Sequence, residues 1–323
     1  MKNQLINRFL RSSGSTSIAF AALLLSASST NARDHHHRGD GKPFTKIYAF
    51  GDSLCDTGNF FALTGSPGAP YFEGRFSNGL VWIEYLAEEM GMRPDDVVNY
   101  AVGGASTGRE NERDIPGLTN FPGLQDEIDY FEEDLGGKSA DQRALYIVWA
   151  GANDFLIADA KTPEEIEATI KTAIGNTVVA ALRLYEAGAR RILVPGLPDL
   201  GLTPYGQLGG QSAQLSYVTY LYNEALEAAL DQLEAAGIRT SRLDSAQLIQ
   251  DMVAEPAAFG LSNATDPFLA VGGDPSGFLF WDAIHPSTTG HWSIAQEAMN
   301  VLRRDFRHAW ATPRNRQARN SRR

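Results

Sequence analysis

The chain has 323 residues, with 28 Lys and Arg against 39 Asp and Glu, a formal net charge of −11, 43% hydrophobic residues and 21% charged ones. This balance excludes a disordered chain, a fibrous repeat and a polytopic membrane protein, and the acidity argues against a nucleic-acid binder, which needs a basic face for phosphates. The single cysteine, Cys55, excludes an intrachain disulfide and CxxC-type metal or redox sites.

Residues 1–32 carry Lys2, Arg8 and Arg11 and no acid, then a short apolar run over 18–25, then small residues ending at Thr30-Asn31-Ala32. This pattern predicts a secretory signal peptide, and the apolar run is too short to span a bilayer. A secreted or periplasmic location is expected. Residues 33–44 read as a flexible leader. Cleavage after Ala32 would put Arg33-Asp34-His35 at a new terminus able to offer Cu(II) or Ni(II) four nitrogens in a plane. A plain hydrophilic leader is the simpler reading of the segment. The body from 33 to 302 holds 17 basic against 38 acidic residues, and one α/β domain is expected over 45–308.

The first predicted strand, 46–50, runs into Gly51-Asp52-Ser53-Leu54-Cys55-Asp56-Thr57-Gly58-Asn59. Gly74-Arg75-Phe76-Ser77-Asn78-Gly79 precedes an amphipathic helix over 80–90, with Val81, Ile83, Leu86 and Met90 on its apolar side. The second strand, 97–102, runs into Gly103-Gly104-Ala105-Ser106. Here Gly104-Ala105-Ser106-Thr107-Gly108 matches the G-x-S-x-G nucleophile elbow. That elbow needs a helix at once, and the charged stretch from Arg109 to Gly117 predicts none, so Ser106 is read as a decoy. The third strand, 145–150, runs into Gly151-Ala152-Asn153-Asp154-Phe155, with Asp154 expected to support its loop. A long helix over 163–187 opens with the cap Thr162 and with Pro163, Glu164 and Glu165. Further strands are predicted at 191–195 and 239–243, and helices at 211–236 and 290–307. Between these last elements stands Asp282-Ala283-Ile284-His285-Pro286. The tail over 309–323 is basic and nearly devoid of apolar residues, which predicts disorder.

Alternating strands and helices imply a parallel sheet covered on both faces, with ligands beyond the carboxyl ends of the strands. Those ends carry a complete acyl-transfer set. A serine hydroxyl needs a base, and His285 is preceded three residues earlier by Asp282, which can fix its tautomer. The other histidines fall in the leader (His35, His36, His37) or on the last helix (His291, His308). The N–H groups of Ser53 and Gly104 and the amide of Asn153 are the candidate oxyanion donors.

These blocks resemble the GDSL esterase/lipase family, the SGNH hydrolases. The resemblance rests on Phe50–Leu54 with Asp56–Asn59, on Asn99–Ala105, on Gly151–Phe155 and on Asp282–Pro286, and it extends to Gly74–Gly79 and Leu197–Pro204. It implies a flavodoxin-like three-layer α/β/α sandwich with a five-stranded parallel sheet. It implies Ser53 as nucleophile, Asp282 and His285 as its triad partners, and Ser53, Gly104 and Asn153 as the oxyanion hole. Neither metal nor cofactor is expected. Cys55 stands where many relatives have serine and is expected to pack inward. The expected function is a secreted serine ester hydrolase acting on a small-molecule or lipid ester, with transient contact to a lipid surface. The alternatives are an acyltransferase or phospholipase using the same triad, and a non-catalytic binding protein on the same scaffold. Arg75 and its neighbours, with Phe60 and Phe61, suggest apolar contacts to the acyl group.

Overall fold

The computed structural model describes residues 42–115, 117–158 and 162–310. The segment predicted as a signal peptide, most of the predicted leader with His35, and the tail from 311 lie outside the described residues. Strands β1 (Ile47–Gly51), β2 (Val97–Asn99), β3 (Leu145–Trp149), β4 (Ile192–Pro195) and β5 (Thr240–Leu243) form one sheet in the order β2-β1-β3-β4-β5. Every neighbouring pair is parallel. All five strands fall where the sequence predicts them. β2 is shorter than expected, but Tyr100 N–H still donates to Ala49 O and Val102 N–H to Gly51 O, so the chain keeps its course to the glycine turn.

Seven helices matter for the packing: α1 (Trp82–Glu89), α2 (Leu124–Leu135), α3 (Ala152–Ala158), α4 (Pro163–Ala187), α5 (Ser212–Ala235), α6 (Ser245–Ala254) and α7 (Thr288–Asp305). Successive strand residues point to opposite faces. Ile47, Ala49, Ile147, Trp149 and Leu193 pack with α1, α6 and α7. Phe50, Tyr146, Val148, Ile192 and Val194 pack with α2, α4 and α5. The result is the expected three-layer α/β/α sandwich. Burying each such aliphatic or aromatic side chain contributes about 1.5–3 kcal/mol, and two such layers stabilise a chain that has one cysteine.

Local signals fix the helix ends. Thr162 Oγ1 accepts from Glu165 N–H at 3.2 Å while Glu165 returns a carboxylate oxygen to Thr162 N–H at 2.9 Å, a reciprocal cap that starts α4 where predicted. Ser287 Oγ accepts from Gly290 N–H, so α7 starts at Thr288, and it ends at Asp305; His308 therefore sits in the turn beyond the helix and not on it. Helices α2, α3 and α6 fall outside the predicted set. So does a two-stranded parallel sheet of β6 (Asn263–Pro267) and β7 (Phe278–Phe280). β7 matters because it leads into Asp282 and His285.

In this strand order the chain leaves β1 and β3 toward opposite sides, which opens a crevice above their carboxyl ends. Ser53 follows β1, Gly104 follows β2 and Asn153 lies in the first turn of α3, so the topology gathers three predicted site residues at one edge. Among the described residues no helix is long and apolar enough to cross a membrane.

Candidate active site

The turn after β1 is dictated by close approach. Gly51 has φ +141°, and a Cβ there would stand 1.9 Å from Trp149 O on β3. Asp52 then folds the chain back: its carbonyl accepts from the N–H groups of Cys55 and Asp56, and its carboxylate accepts from Leu54 N–H at 3.1 Å. Ser53 projects from the top of this turn. Its Oγ lies 2.9 Å from His285 Nε2, and His285 Nδ1 lies 2.7 Å from Asp282 Oδ2. Asp282 Oδ1 accepts from the N–H groups of Ile284 (2.8 Å) and His285 (2.7 Å), the tight turn the spacing predicts. Burial alone would raise the Asp282 carboxyl, but the charge and hydrogen bonds of His285, with the two turn N–H groups, hold it down to about 2. An ionised Asp282 favours the tautomer with hydrogen on Nδ1, which leaves Nε2 free to take the Ser53 proton.

The oxyanion side is built by the β2 turn. Gly104 has φ +86°, and a Cβ there would meet Asn111 Oδ1 at 2.3 Å. Among the described residues the N–H groups of Ser53 and Gly104 have no acceptor, and both residues line the same cavity as Asn153 and His285. Asn153 Nδ2 donates to Ala105 O at 3.1 Å and approaches Asp52 Oδ2 at 3.5 Å, which aims the amide along the crevice. Such an arrangement can transfer an acyl group: an activated hydroxyl faces three donors placed for a developing oxyanion.

Polar residues to which the sequence analysis gave no role hold this geometry. Glu127 on α2 is fully buried and accepts from Gly51 N–H at 2.7 Å and Val102 N–H at 3.1 Å, tying the ends of β1 and β2 together. Burial pushes its carboxyl well above the usual range, and Asp52 and Asp56 add to the rise. Asp56 accepts from the N–H groups of Gly58, Asn59, Phe60 and Gly103. Asn59 Nδ2 donates to Asn99 O and Ala101 O, and Asn99 Nδ2 donates to Cys55 O and Thr57 Oγ1. The first two sequence blocks therefore knit to each other. Asp52 is likewise buried, and desolvation pushes it up to about 7 against the pull of Leu54 N–H and His285.

The remaining candidates sort plainly. Ser106 Oγ accepts from Gly108 N–H, and no helix follows it until α2. Asp154 accepts from Thr107 N–H at 2.9 Å and Thr107 Oγ1 at 2.5 Å, a loop-supporting role. Burial raises it to about 6. Cys55 is buried, with its thiol pushed well above the usual range by burial and by Asp52. His291 is fully buried, neither ring nitrogen has a partner among the described residues, and desolvation lowers it to about 3. Among the described residues no group of three His, Cys, Asp or Glu is placed to hold a metal ion.

One expectation is corrected. Arg75, Phe60 and Phe61 do not line the cavity. Arg75 is engaged by Glu84 through Nε at 3.1 Å and Nη2 at 2.7 Å. Phe60 packs on Phe76, and the Phe76 ring lies 5.1 Å from that of His285. Ser77 Oγ donates to Pro286 O, and Asn78 Oδ1 accepts from Thr288 N–H. The 74–79 block thus braces the His285 loop. The cavity instead reaches inward between the sheet and α6 and α7, walled by Leu54, Trp149, Pro198, Leu200, Ile249, Phe280 and Ile294, with Glu112, Arg113 and Leu156 also in its lining. Leu197–Pro204, conspicuous in the sequence, supplies part of that wall.

Comparison with known proteins places relatives beside this chain. The phosphatidylcholine-sterol acyltransferase of Aeromonas hydrophila is 29% identical over 83% of this chain and 93% of its own length. The thermolabile hemolysin of Vibrio parahaemolyticus is 27% identical over 79% of this chain and 63% of its own. Esterase EstA of Pseudomonas aeruginosa is 30% identical over 80% of this chain, which spans 47% of that protein. Among solved structures, a lipolytic protein of the G-D-S-L family from Veillonella parvula superposes with a TM-score of 0.45 at 16% identity, covering 80% of this chain and 98% of that one. An acetyl xylan esterase from Geobacillus stearothermophilus gives 0.44 at 16% identity, covering 80% and 94%. The family described as GDSL-like Lipase/Acylhydrolase matches residues 47–298, a span running from β1 into α7 that takes in Ser53, Gly104, Asn153, Asp282 and His285, and the chain belongs to that family.

Proposed function

We propose that the protein is a serine ester hydrolase that cleaves carboxylic esters through an acyl-enzyme on Ser53. The observation that carries this reading is the relay Ser53 Oγ–His285 Nε2–Asp282, at 2.9 and 2.7 Å, on the wall of an apolar cavity. Ser53 Oγ attacks the ester carbonyl as His285 Nε2 takes its proton. The carbonyl oxygen becomes an oxyanion held by Ser53 N–H, Gly104 N–H and Asn153 Nδ2. Collapse expels the alcohol, which receives the proton from His285. Water then attacks the acyl-enzyme by the same path in reverse. No step calls for a metal or cofactor. The acyl chain enters the cavity beside Trp149, Leu200 and Ile249.

The preferred substrates are lipid-like esters. Exposed apolar side chains lie in or close in the chain to the cavity lining: Leu156 on α3 is part of it, Ile115 and Leu118 follow Arg113, Tyr205 and Leu208 lie on the short helix after Thr203, and Leu269 stands beside Trp281, next to Phe280. Tyr205 N–H donates to Ala283 O and Leu269 N–H donates to Trp281 O, which places both beside the Asp282–His285 turn. The acyltransferase reading, in which an alcohol replaces water, is favoured by one observation: the acyltransferase relative matches nearly along its whole length. Export rests on residues 1–32 and is read directly by the N-terminal mass of the product.

A serine-directed phosphonate and an aryl-ester panel of increasing acyl length test the reading. The phosphonate should label Ser53, and Ser53→Ala should lose labelling and turnover while staying folded. Ser106→Ala should keep most activity. An unlabelled, inactive parent would leave a binding protein on this scaffold. Added alcohol that diverts the acyl group into a new ester would establish transfer.

A further inference from the structure

Asp282 accepts four hydrogen bonds, and three of them come from its own turn, from Ile284 N–H, His285 N–H and His285 Nδ1. The fourth donor is the hydroxyl of Tyr71, 2.9 Å from Oδ2, the oxygen that also receives His285 Nδ1. Tyr71 comes from a distant loop whose other contacts hold it in place. Phe72 N–H donates to Ser77 O, Ser77 Oγ donates to Pro286 O, and the Tyr71 ring meets Trp281 edge-on at 6.3 Å and 85°.

We infer that Tyr71 is a positioning residue of this site, whose hydroxyl fixes the Asp282 carboxylate and shares Oδ2 with His285, so that Asp282 pulls less strongly on the imidazolium. The inference rests on the ester-hydrolase reading given above. A carboxylate oxygen that already accepts one strong donor is a weaker acceptor for a second. With Tyr71 in place, His285 gives up its proton to the leaving alcohol more readily. Partial burial and the Asp282 charge push the Tyr71 phenol above its ordinary range, so it remains a donor wherever the protein is folded and active. The other groups facing this pair are Asp52 and His291, which act on His285, and Arg113, which acts on Tyr71. The Phe76 ring covers one side of the imidazole.

Tyr71→Phe keeps the ring and its contact with Trp281 and removes the donor. The acid limb of kcat/KM on an aryl ester should move up by about half to one pH unit, a roughly threefold to tenfold change in proton affinity. KM should change less than kcat. Proton NMR supplies a second readout that needs no substrate: the His285 Nδ1 proton should move downfield, and the ring should titrate at higher pH than in the parent. In an Asp282→Asn background, Tyr71→Phe should add little. An acid limb and a ring titration at the parent's pH would overturn the inference, whatever happened to the rate. An undiminished further loss in the Asp282→Asn background would also overturn it, because Tyr71 would then act by holding its loop. If the parent is neither labelled at Ser53 nor active, the hydrolase reading fails, and the NMR titration still decides the role of Tyr71.

Discussion

Asn153 shows how one side chain serves geometry and chemistry together. Its amide is held by Ala105 O at 3.1 Å, yet it lines the same cavity as Ser53, so it can meet charge that develops on the substrate. Binding made mainly in the transition state raises kcat without lowering KM. Asn153→Ala should therefore lower kcat by about 10²–10³ and change KM little. Steady-state kinetics on a soluble ester checks this; full kcat with a large KM increase would make Asn153 a substrate-binding group. Five candidate site residues were legible in the sequence because acyl transfer demands particular residue types: Ser53, Gly104 and Asn153 stood just after predicted strands, and Asp282 stood three residues before His285. Tyr71 and Glu127 were not. Tyr71 meets its partner across 211 positions and Glu127 reaches Gly51 across 76, and neither spacing leaves a local pattern.

At the scale of elements, the site depends on how two strand ends are locked. Beyond the last residue of β2 the chain still pairs with β1 through Val102 N–H to Gly51 O, and Glu127 from α2 accepts from both Gly51 N–H and Val102 N–H there. Its two acceptors serve two buried N–H groups that no other side chain reaches among the described residues. Glu127→Ala leaves Gly51 N–H without its acceptor, at a cost of about 1–3 kcal/mol, and removes the tie to Val102 N–H, which keeps its bond to Gly51 O. Thermal unfolding should show a clear fall in Tm, and the fraction that stays folded should have reduced kcat because the Ser53 and Gly104 turns are no longer tied. A variant with parent stability and parent kcat would mean the strands hold the turns unaided. The sheet itself was readable, since each strand is a short apolar run between turn residues. Helix α2 was harder: Leu124, Ile128 and Phe131 make its apolar stripe, but six acids within twelve residues crowd that signal. β6 contains Asp266 and Pro267, residues that strands usually avoid, so tertiary context and not propensity places it.

For the whole molecule, the feature that bears on function is the distribution of apolar surface. Leu118 and Leu208 are among the most exposed apolar side chains, at 75% and 79%; Leu118 follows Arg113 in the chain and Leu208 ends the short helix that begins just after Thr203, and Arg113 and Thr203 both line the cavity that Ser53 lines. Exposed apolar groups gathered around a mouth are costly in water unless something covers them. A lipid surface would do so and would deliver an acyl chain to the opening. Leu118→Asp with Leu208→Asp should then lower turnover of esters carried in vesicles several-fold and leave turnover of a soluble short-chain aryl ester unchanged, because neither residue lines the cavity. The body from 33 to 302 carries 38 acids against 17 bases, so repulsion from an anionic surface opposes docking. Zwitterionic vesicles should therefore support faster hydrolysis than anionic ones at low salt, and the gap should narrow as salt shortens the Debye length toward about 8 Å near 0.15 M. Vesicle hydrolysis rates across lipid charge and salt measure both effects. Equal losses on vesicles and on the soluble ester would mean that the double substitution damages the site itself, and the apolar rim would then have no part in reaching lipid.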